Sequence, residues 1–226
     1  MRSTRVALAA VALTITGVSG GAELRFSPDV VGPYRVPVTS LKEARNLTTL
    51  QQQFDFSCGS AALATLLTHH YDFPVNEQAV FAAMFQHGDQ AKIRREGFSL
   101  LDMKNFLAAR GFQADGFEAP LDALVKAKIP AIALVNEKGY NHFVVVKGVK
   151  DGRVVLGDPA FGTRAMSRHD FEAIWSEKIL FVVRSHQNIA HFNRPVDWKV
   201  VPRAPLEAGL RGSIDMVRFM RNGGDF

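Results

Sequence analysis

The apolar segments of this 226-residue chain change character once, near residue 130. Before that point, apolar residues recur at helical spacing between polar caps and glycines. After it, short runs rich in Val, Ile and Phe alternate with turn residues, which is typical of β-strands. Helices followed by a mostly antiparallel sheet predict an α+β fold.

The element boundaries follow from caps, turn residues and periodicity. Helices are predicted over residues 61–70, 77–85, 99–110, 121–127 and 167–175, with a short helical turn between 40 and 49. The polar stretch 88–97 is predicted to be a loop. Strands are predicted over residues 131–135, 142–149, 153–157 and 179–184, with Asp151-Gly152 as a hairpin turn.

The first 22 residues have the layout of a secretory signal peptide. Arg2 and Arg5 precede an apolar run at residues 6–18, and small residues suit cleavage after Ala22 or Gly20. The run is shorter than the ~20 apolar residues of a stable membrane span, although an uncleaved anchor remains an alternative. We therefore expect export, with the periplasm as the destination.

The net charge is positive, but its distribution is scattered. The chain has 27 basic and 22 acidic residues, for a net charge of +5. The longest basic cluster, at residues 92–95, is followed at once by Glu96. A nucleic-acid-binding surface needs positive charge concentrated on one face, so we expect no nucleic-acid partner.

A single cysteine, Cys58, occurs in the chain. One cysteine cannot form an internal disulfide, and a free thiol in an oxidising compartment is exposed to oxidation. Two interpretations stay open on the count alone. The side chain is either buried and inert, as free cysteines often are, or retained for its chemistry.

Three candidate reactive residues lie at the ends of predicted elements. Cys58 begins a helix, where the partial positive charge and free N–H groups favour a thiolate. His142 begins a strand, and Asp158 follows the next strand, so hairpin pairing brings both to the same end of the sheet. This order of nucleophile, base and orienting carboxylate is that of covalent acyl transfer. Gln52 is a candidate oxyanion donor, together with the backbone N–H of Cys58.

Each of these residues also has a structural interpretation. Cys58 suits the apolar face of an Ala/Leu-rich helix, and His142 suits a strand edge. Asp158 precedes a proline, a common turn position, and Gln52 lies within a run of three glutamines. Asn141 is an alternative orienting residue, although it is adjacent to His142.

The histidines at positions 69, 70 and 87 are weak candidates for metal ligands. Adjacent histidines on a helix point about 100° apart, and the chain has neither an H-E-x-x-H motif nor a cysteine pair. We expect no metal and no cofactor.

Three segments together resemble the bacteriocin-processing peptidases, papain-like enzymes that cut after double-glycine leaders. They are residues 52–63 (QQFDFSCGSAAL), 142–146 (HFVVV) and 154–162 (VVLGDPAFG). The resemblance implies a papain-like cysteine peptidase fold with N-terminal helices on a mostly antiparallel sheet. It also implies a nucleophile at Cys58, a general base at His142, an orienting carboxylate at Asp158 and an oxyanion donor at Gln52.

This resemblance sets the expected domain organisation. A signal peptide (1–22) and an extended segment (23–50) precede a peptidase domain (51–186), and a tail follows (187–226). The exported form looks closest to the peptidase of bacterial functional-amyloid (Fap) operons. That likeness implies polypeptide substrates, among them amyloid fibril subunit precursors, and contact with outer-membrane export machinery.

The chain also departs from the family pattern. Many members carry an acidic residue directly before the Cys-Gly pair, where this chain has Ser57, and many are parts of exporters with a phosphate loop, a motif this chain lacks. Double-glycine specificity is therefore not carried over. Two alternatives stay open: a thiol hydrolase acting on cell-wall peptides, and a catalytically silent peptidase-like binding or chaperone module in amyloid export.

Overall fold

A computed structural model describes residues 39–201 of the chain. The predicted signal peptide, most of the predicted extended segment and the tail beyond residue 201 lie outside these residues. None of the helices within 39–201 has the length and apolar character needed to cross a membrane.

The described residues form seven α-helices and six β-strands. The helices are α1 (Leu41–Asn46), α2 (Cys58–His70), α3 (Glu77–His87), α4 (Gln90–Glu96), α5 (Leu100–Ala108), α6 (Leu121–Ala127) and α7 (Arg168–Ile174). The strands are β1 (Ala114–Glu118), β2 (Ala131–Glu137), β3 (Tyr140–Lys150), β4 (Arg153–Asp158), β5 (Gly162–Ser167) and β6 (Trp175–Val183). Two 3₁₀ helices, Gln187–Ile189 and Asp197–Val200, follow β6.

Side-chain caps start helices α3 and α5 where the sequence predicts them. The Asn76 side chain accepts a hydrogen bond from the Ala79 N–H, 2.7 Å away, at the start of α3. Ser99 and Asp102 form a complete capping box at the start of α5, as their spacing predicts. Each cap satisfies N–H groups that would otherwise lack a partner in the first turn.

The predicted loop over residues 88–97 is wrong, because α4 forms there. Asp89 caps this helix by accepting from the Lys92 N–H, and Gly97, at φ +80°, ends it. Ile93 is the one residue of α4 that is buried. One apolar side chain gives no helical period to detect, so only the cap and the terminal glycine mark the helix in the sequence.

The six strands form one antiparallel sheet in the order β1-β6-β2-β3-β4-β5. Lys138-Gly139 and Asp151-Gly152 connect β2 to β3 and β3 to β4, with φ positive at all four residues. Such backbone angles match the twist of a two-residue hairpin, and the predicted turn at Asp151-Gly152 is confirmed. The sequence predicted neither β1 nor β5.

Apolar clusters lie on both faces of the sheet. Helices α2 and α5 contact one face and α3 packs against them, with Leu63, Val80 and Phe106 in one shared apolar cluster. Helices α6 and α7 pack on the other face through Leu124 and Phe171. Helices packed on an antiparallel sheet confirm the predicted α+β class.

Strand β3 contains a β-bulge at the place where the chain after β6 contacts the sheet. The pairing of β3 with β4 shifts between Val146 and Gly148, and the Lys147 side chain is fully buried. We call residues 187–201 the C-terminal strap. Within the strap, Asp197 Oδ1 lies 3.0 Å from Lys147 Nζ, and the Asn193 N–H donates to the Lys147 carbonyl.

Candidate active site

Cys58 is the first residue of α2, as the sequence predicts. Ser57 precedes it, and its hydroxyl bonds both the N–H and the carbonyl of Phe54, which fixes the loop before the helix. The Cys58 side chain is 7% exposed. The thiol is thus held at a helix N-terminus, almost out of contact with solvent.

Burial controls the ionisation of this thiol. Burial raises the pKa of Cys58, whereas the backbone N–H groups of Phe143, Gly59 and Cys58 itself lower it, and the Asp158 charge raises it further. The backbone N–H groups at the start of α2 thus favour the thiolate, whereas burial opposes it. A thiolate here needs a neighbouring group that takes the proton.

His142 is the third residue of β3 and lies at the end of the sheet that also carries Asp158. Its Nε2 is 3.1 Å from Asp158 Oδ2, and the side chain is 3% exposed. Its Nδ1 is buried and has no hydrogen-bond partner among residues 39–201. The Tyr140 ring stacks on the imidazole with centroids 5.6 Å apart. One ring nitrogen is therefore occupied by the carboxylate and the other is available.

Asp158 ends β4 and is fully buried. Its Oδ1 accepts the N–H groups of Ala160 and Phe161, at 2.9 and 3.3 Å. Its Oδ2 accepts from His142 and from Arg164 Nε, the latter at 2.9 Å. Burial alone would raise the pKa of Asp158, but the hydrogen bond and charge of His142 and the charge of Arg164 lower it below its usual value. The carboxylate is thus ionised and fixed.

The predicted pairing of β3 with β4 brings His142 and Asp158 together, as expected. Asn141, the alternative orienting residue, instead accepts a 2.6 Å hydrogen bond from Asn136 across the hairpin. Since the imidazole contacts Asp158, the orienting position belongs to the carboxylate.

Gln52 lies beside the corner that follows Asp158. Its backbone N–H donates to the Pro159 carbonyl at 3.0 Å. Its side-chain Nε2 donates to the carbonyls of Phe54, at 3.1 Å, and of Asp55, at 3.5 Å. The structure therefore brings Gln52 to the site, with its amide donors bonded inside the loop before α2.

Three polar residues at this site were not predicted from the sequence: Glu137, Tyr140 and Arg164. Tyr140 donates its hydroxyl to the Asp55 carbonyl, and Arg164 bonds both Asp158 and Glu137. Arg164 lies on β5, whose polar sequence gave no strand signal. The one available signal for Tyr140 was its spacing of two residues from His142, which puts both on one face of a strand.

Within the described part of the chain, no group of three or more His, Cys, Asp or Glu side chains is arranged to hold a metal ion. The chemistry available at the site is that of a buried thiol, an imidazole, a carboxylate and nearby amide donors. This set suits nucleophilic attack on a carbonyl group with general base assistance.

Comparison with known proteins gives a family and relatives. Residues 46–187 match the peptidase C39 family. The "Probable functional amyloid protease FapD" of Pseudomonas fluorescens is 42% identical over 146 residues, which are 65% of this chain and 64% of the relative. The protein of the same name from Pseudomonas aeruginosa is 40% identical over 146 residues, 65% of each chain. The match thus spans slightly less than two thirds of these relatives.

A solved structure confirms the papain-like peptidase fold. The peptidase domain of Streptococcus ComA, a bi-functional ABC transporter involved in a quorum-sensing pathway, superposes with a TM-score of 0.51. The match covers 60% of this chain and 96% of that domain, at 20% sequence identity.

Proposed function

Because this chain belongs to the peptidase C39 family, we propose that it is a cysteine endopeptidase with Cys58 as nucleophile, His142 as general base and Asp158 as orienting carboxylate. One observation carries the proposal. The contact between His142 Nε2 and Asp158 leaves Nδ1 buried and unpaired among the described residues, on the strand whose next N–H group, that of Phe143, interacts with the Cys58 thiol.

The reaction starts with a proton transfer from Cys58 Sγ to His142 Nδ1. The thiolate then attacks the peptide carbonyl carbon, and a C–S bond forms as the carbonyl electrons move to oxygen. The imidazolium returns its proton to the leaving amine as the C–N bond breaks. Water, deprotonated by His142, hydrolyses the thioester and frees Cys58. Asp158 stabilises the imidazolium through both proton transfers.

Gln52 is the proposed side-chain donor to the tetrahedral oxyanion, with the Cys58 N–H as the backbone donor. The position of Gln52 next to the Asp158-Pro159 corner supports this role. For this, its amide would release its hydrogen bonds to the carbonyls of Phe54 and Asp55 and donate to the substrate oxygen instead.

The proposed substrates are precursors of secreted proteins in the periplasm. The signal-peptide layout of residues 1–22 supports export, and the two Pseudomonas relatives carry the name functional amyloid protease. We therefore propose that this peptidase processes functional-amyloid fibril subunits or their export partners, next to outer-membrane export machinery, in biofilm formation.

The first test is the alkylation rate of Cys58 by iodoacetamide as a function of pH. If His142 takes the thiol proton, the wild type shows a reactive plateau well below the free-thiol value of ~8.5. His142→Ala should lose the plateau and react only at higher pH, because burial raises the pKa of the unassisted thiol. His169→Ala, which changes an exposed histidine, is the matched control. An ordinary thiol profile in the wild type would contradict the mechanism.

The second test uses fibril subunit precursors exported with the protein. Wild type should cleave them, and Cys58→Ala should bind but not cleave. Cleavage by the Ala variant would rule out Cys58 as nucleophile. Equal binding without cleavage by either protein would support the silent binding module instead.

A further inference from the structure

Arg164 shares one carboxylate oxygen with the candidate base. Its Nε donates to Asp158 Oδ2 at 2.9 Å, and Nη2 lies at the same distance from that oxygen. His142 Nε2 is 3.1 Å from the same Oδ2. Two donors, one of them permanently charged, thus hydrogen-bond to one oxygen atom. The guanidinium therefore compensates part of the negative charge of that oxygen.

A second carboxylate holds the other side of the guanidinium. Arg164 Nη2 forms an ion pair with Glu137 Oε1, at the end of β2. The side chains of Arg164 and Glu137 are 21% and 28% exposed, so solvent screens this pair only partly. Glu137 therefore offsets some of the positive charge that Arg164 places on Asp158.

Arg164 is not needed to keep Asp158 in place. The other carboxylate oxygen of Asp158 is fixed by the N–H groups of Ala160 and Phe161 at its own turn. Loss of Arg164 therefore changes the charge felt by the carboxylate more than its orientation.

The titratable and charged groups that lie around His142 come from α2, the loop before it and four strands. They are Cys58 at the start of α2, Asp55 in the loop before it, Glu137 on β2, Tyr140 on β3, Asp158 on β4 and Arg164 on β5. Arg164 is the one permanent cation in this set.

We propose that Arg164, balanced by Glu137, is a positioning residue that sets how strongly Asp158 stabilises the imidazolium of His142. This inference rests on the proposed cysteine peptidase mechanism. The cation weakens the carboxylate's hold on the imidazolium, and Glu137 restores part of it. The pH range over which the thiolate–imidazolium pair exists is thereby set by a residue that contacts neither the thiol nor the base.

Iodoacetamide alkylation of Cys58 measures this range without a substrate. The rate rises first when the thiolate–imidazolium pair forms, and again when the imidazolium loses its proton. Arg164→Gln should move both steps, and with them the plateau, to higher pH by roughly half a pH unit each, because the less compensated Asp158 charge disfavours the thiolate and favours the imidazolium. Glu137→Gln should move the plateau to lower pH, because it removes a negative charge from the same network. Arg164→Lys keeps the charge and should restore a plateau close to the wild type.

Arg168 provides a matched control. It also bridges two carboxylates, those of Asp122 and Glu172, at the start of α7. Arg168→Gln should leave the profile unchanged. If circular dichroism shows that Arg164→Gln does not fold, the direction in which Glu137→Gln moves the plateau tests the proposal instead.

The outcomes separate this inference from the proposed function. A wild type without a plateau overturns the mechanism itself, and the inference with it. A normal wild-type plateau that neither Arg164→Gln nor Glu137→Gln moves, or that both move in the same direction, overturns only the role of Arg164.

Discussion

Nε2 of His142 lies 3.1 Å from Oδ2 of Asp158, so Nδ1 is the ring nitrogen left for a neighbouring group. The carboxylate is buried and accepts four donors, which holds the imidazole in one orientation. Proton transfer at this site depends on that orientation, and the first prediction tests it.

Asp158→Asn should lower the alkylation rate at pH 6 and the cleavage rate by about 100-fold or more. An amide presents one oxygen to the two donors His142 and Arg164, and its NH₂ group favours the wrong imidazole tautomer. Asp151→Asn, in the exposed hairpin at the other end of β4, is the control. Equal loss in both variants would point to unfolding rather than to the lost carboxylate.

Gln52→Ala should reduce cleavage by about 100-fold but leave the alkylation profile of Cys58 unchanged. Alkylation forms no oxyanion, so it does not need the amide donor. The comparison is with Gln53→Ala, which removes the next, exposed glutamine. A parallel loss of alkylation would show that Gln52 acts on the thiol instead.

Gly148→Ala should destabilise the protein by about 1–3 kcal/mol. A Cβ at position 148 would lie 2.3 Å from Asn193 Oδ1 and 3.1 Å from Asn193 Cα, so the strap must move. Urea unfolding measures the cost. Asn193 has φ +58°, which glycine adopts easily, so the same change should cost less in an Asn193→Gly background. An equal cost in both backgrounds would contradict the clash.

Asp197→Asn should cost about 3–5 kcal/mol of unfolding free energy at pH 7, because the buried Lys147 then either stays charged without its carboxylate partner or gives up its proton. Burial lowers the pKa of Lys147 to about 8, although Asp197 opposes this shift. Asp115→Asn, which breaks solvent-screened ion pairs with Lys104 and Arg184, should cost far less. A similar small cost at Asp197 would show that the buried pair contributes little.

His70 should make the protein less stable as the pH falls below about 6.5. Burial first, and then the charge of Lys147, lower the pKa of His70, whose Nδ1 donates to the His191 carbonyl at 2.6 Å. Below ~6.5 the unfolded chain takes up a proton that the folded state does not, so stability falls by up to ~1.4 kcal/mol per pH unit.

Urea unfolding at pH 7.5, 6.5 and 5.5 tests this slope. His70→Asn keeps a donor for the His191 carbonyl but cannot titrate, so it should lose less stability over this range. His169→Asn, at an exposed site, should behave like the wild type. Identical slopes in wild type and His70→Asn would mean that His70 is not responsible.

The sequence predicted those parts of the fold whose signals are local. The cap at Asn76, the capping box at Ser99 and the hairpin at Asp151-Gly152 each depend on a few adjacent residues, and all three are confirmed. Helix α4 was missed because Ile93 is its one buried residue. Strand β5 was missed because its sequence is too polar to show alternation.

The contact between His142 and Asp158 could be predicted because one hairpin joins their strands. Their roles, with those of Cys58 and Gln52, stay predictions until the reactions above are measured. Arg164 and Glu137 could not be predicted, since their meeting requires the β2-β3-β4-β5 order of the whole sheet. Burial of the thiol, which outweighs the helix N-terminus, is likewise a property of packing and not of sequence spacing.

The buried ion pair of Lys147 with Asp197 also affects the order in which parts of the chain fold during synthesis. A nascent chain emerges with its N-terminus first, so β3 and its lysine appear before the strap that neutralises them. Until the strap has been synthesised, the sheet can form only with the Lys147 side chain buried without Asp197, which is unfavourable. Completion of the fold is therefore expected to wait for almost the last described residues, and a chain stopped at residue 187 should remain protease-sensitive.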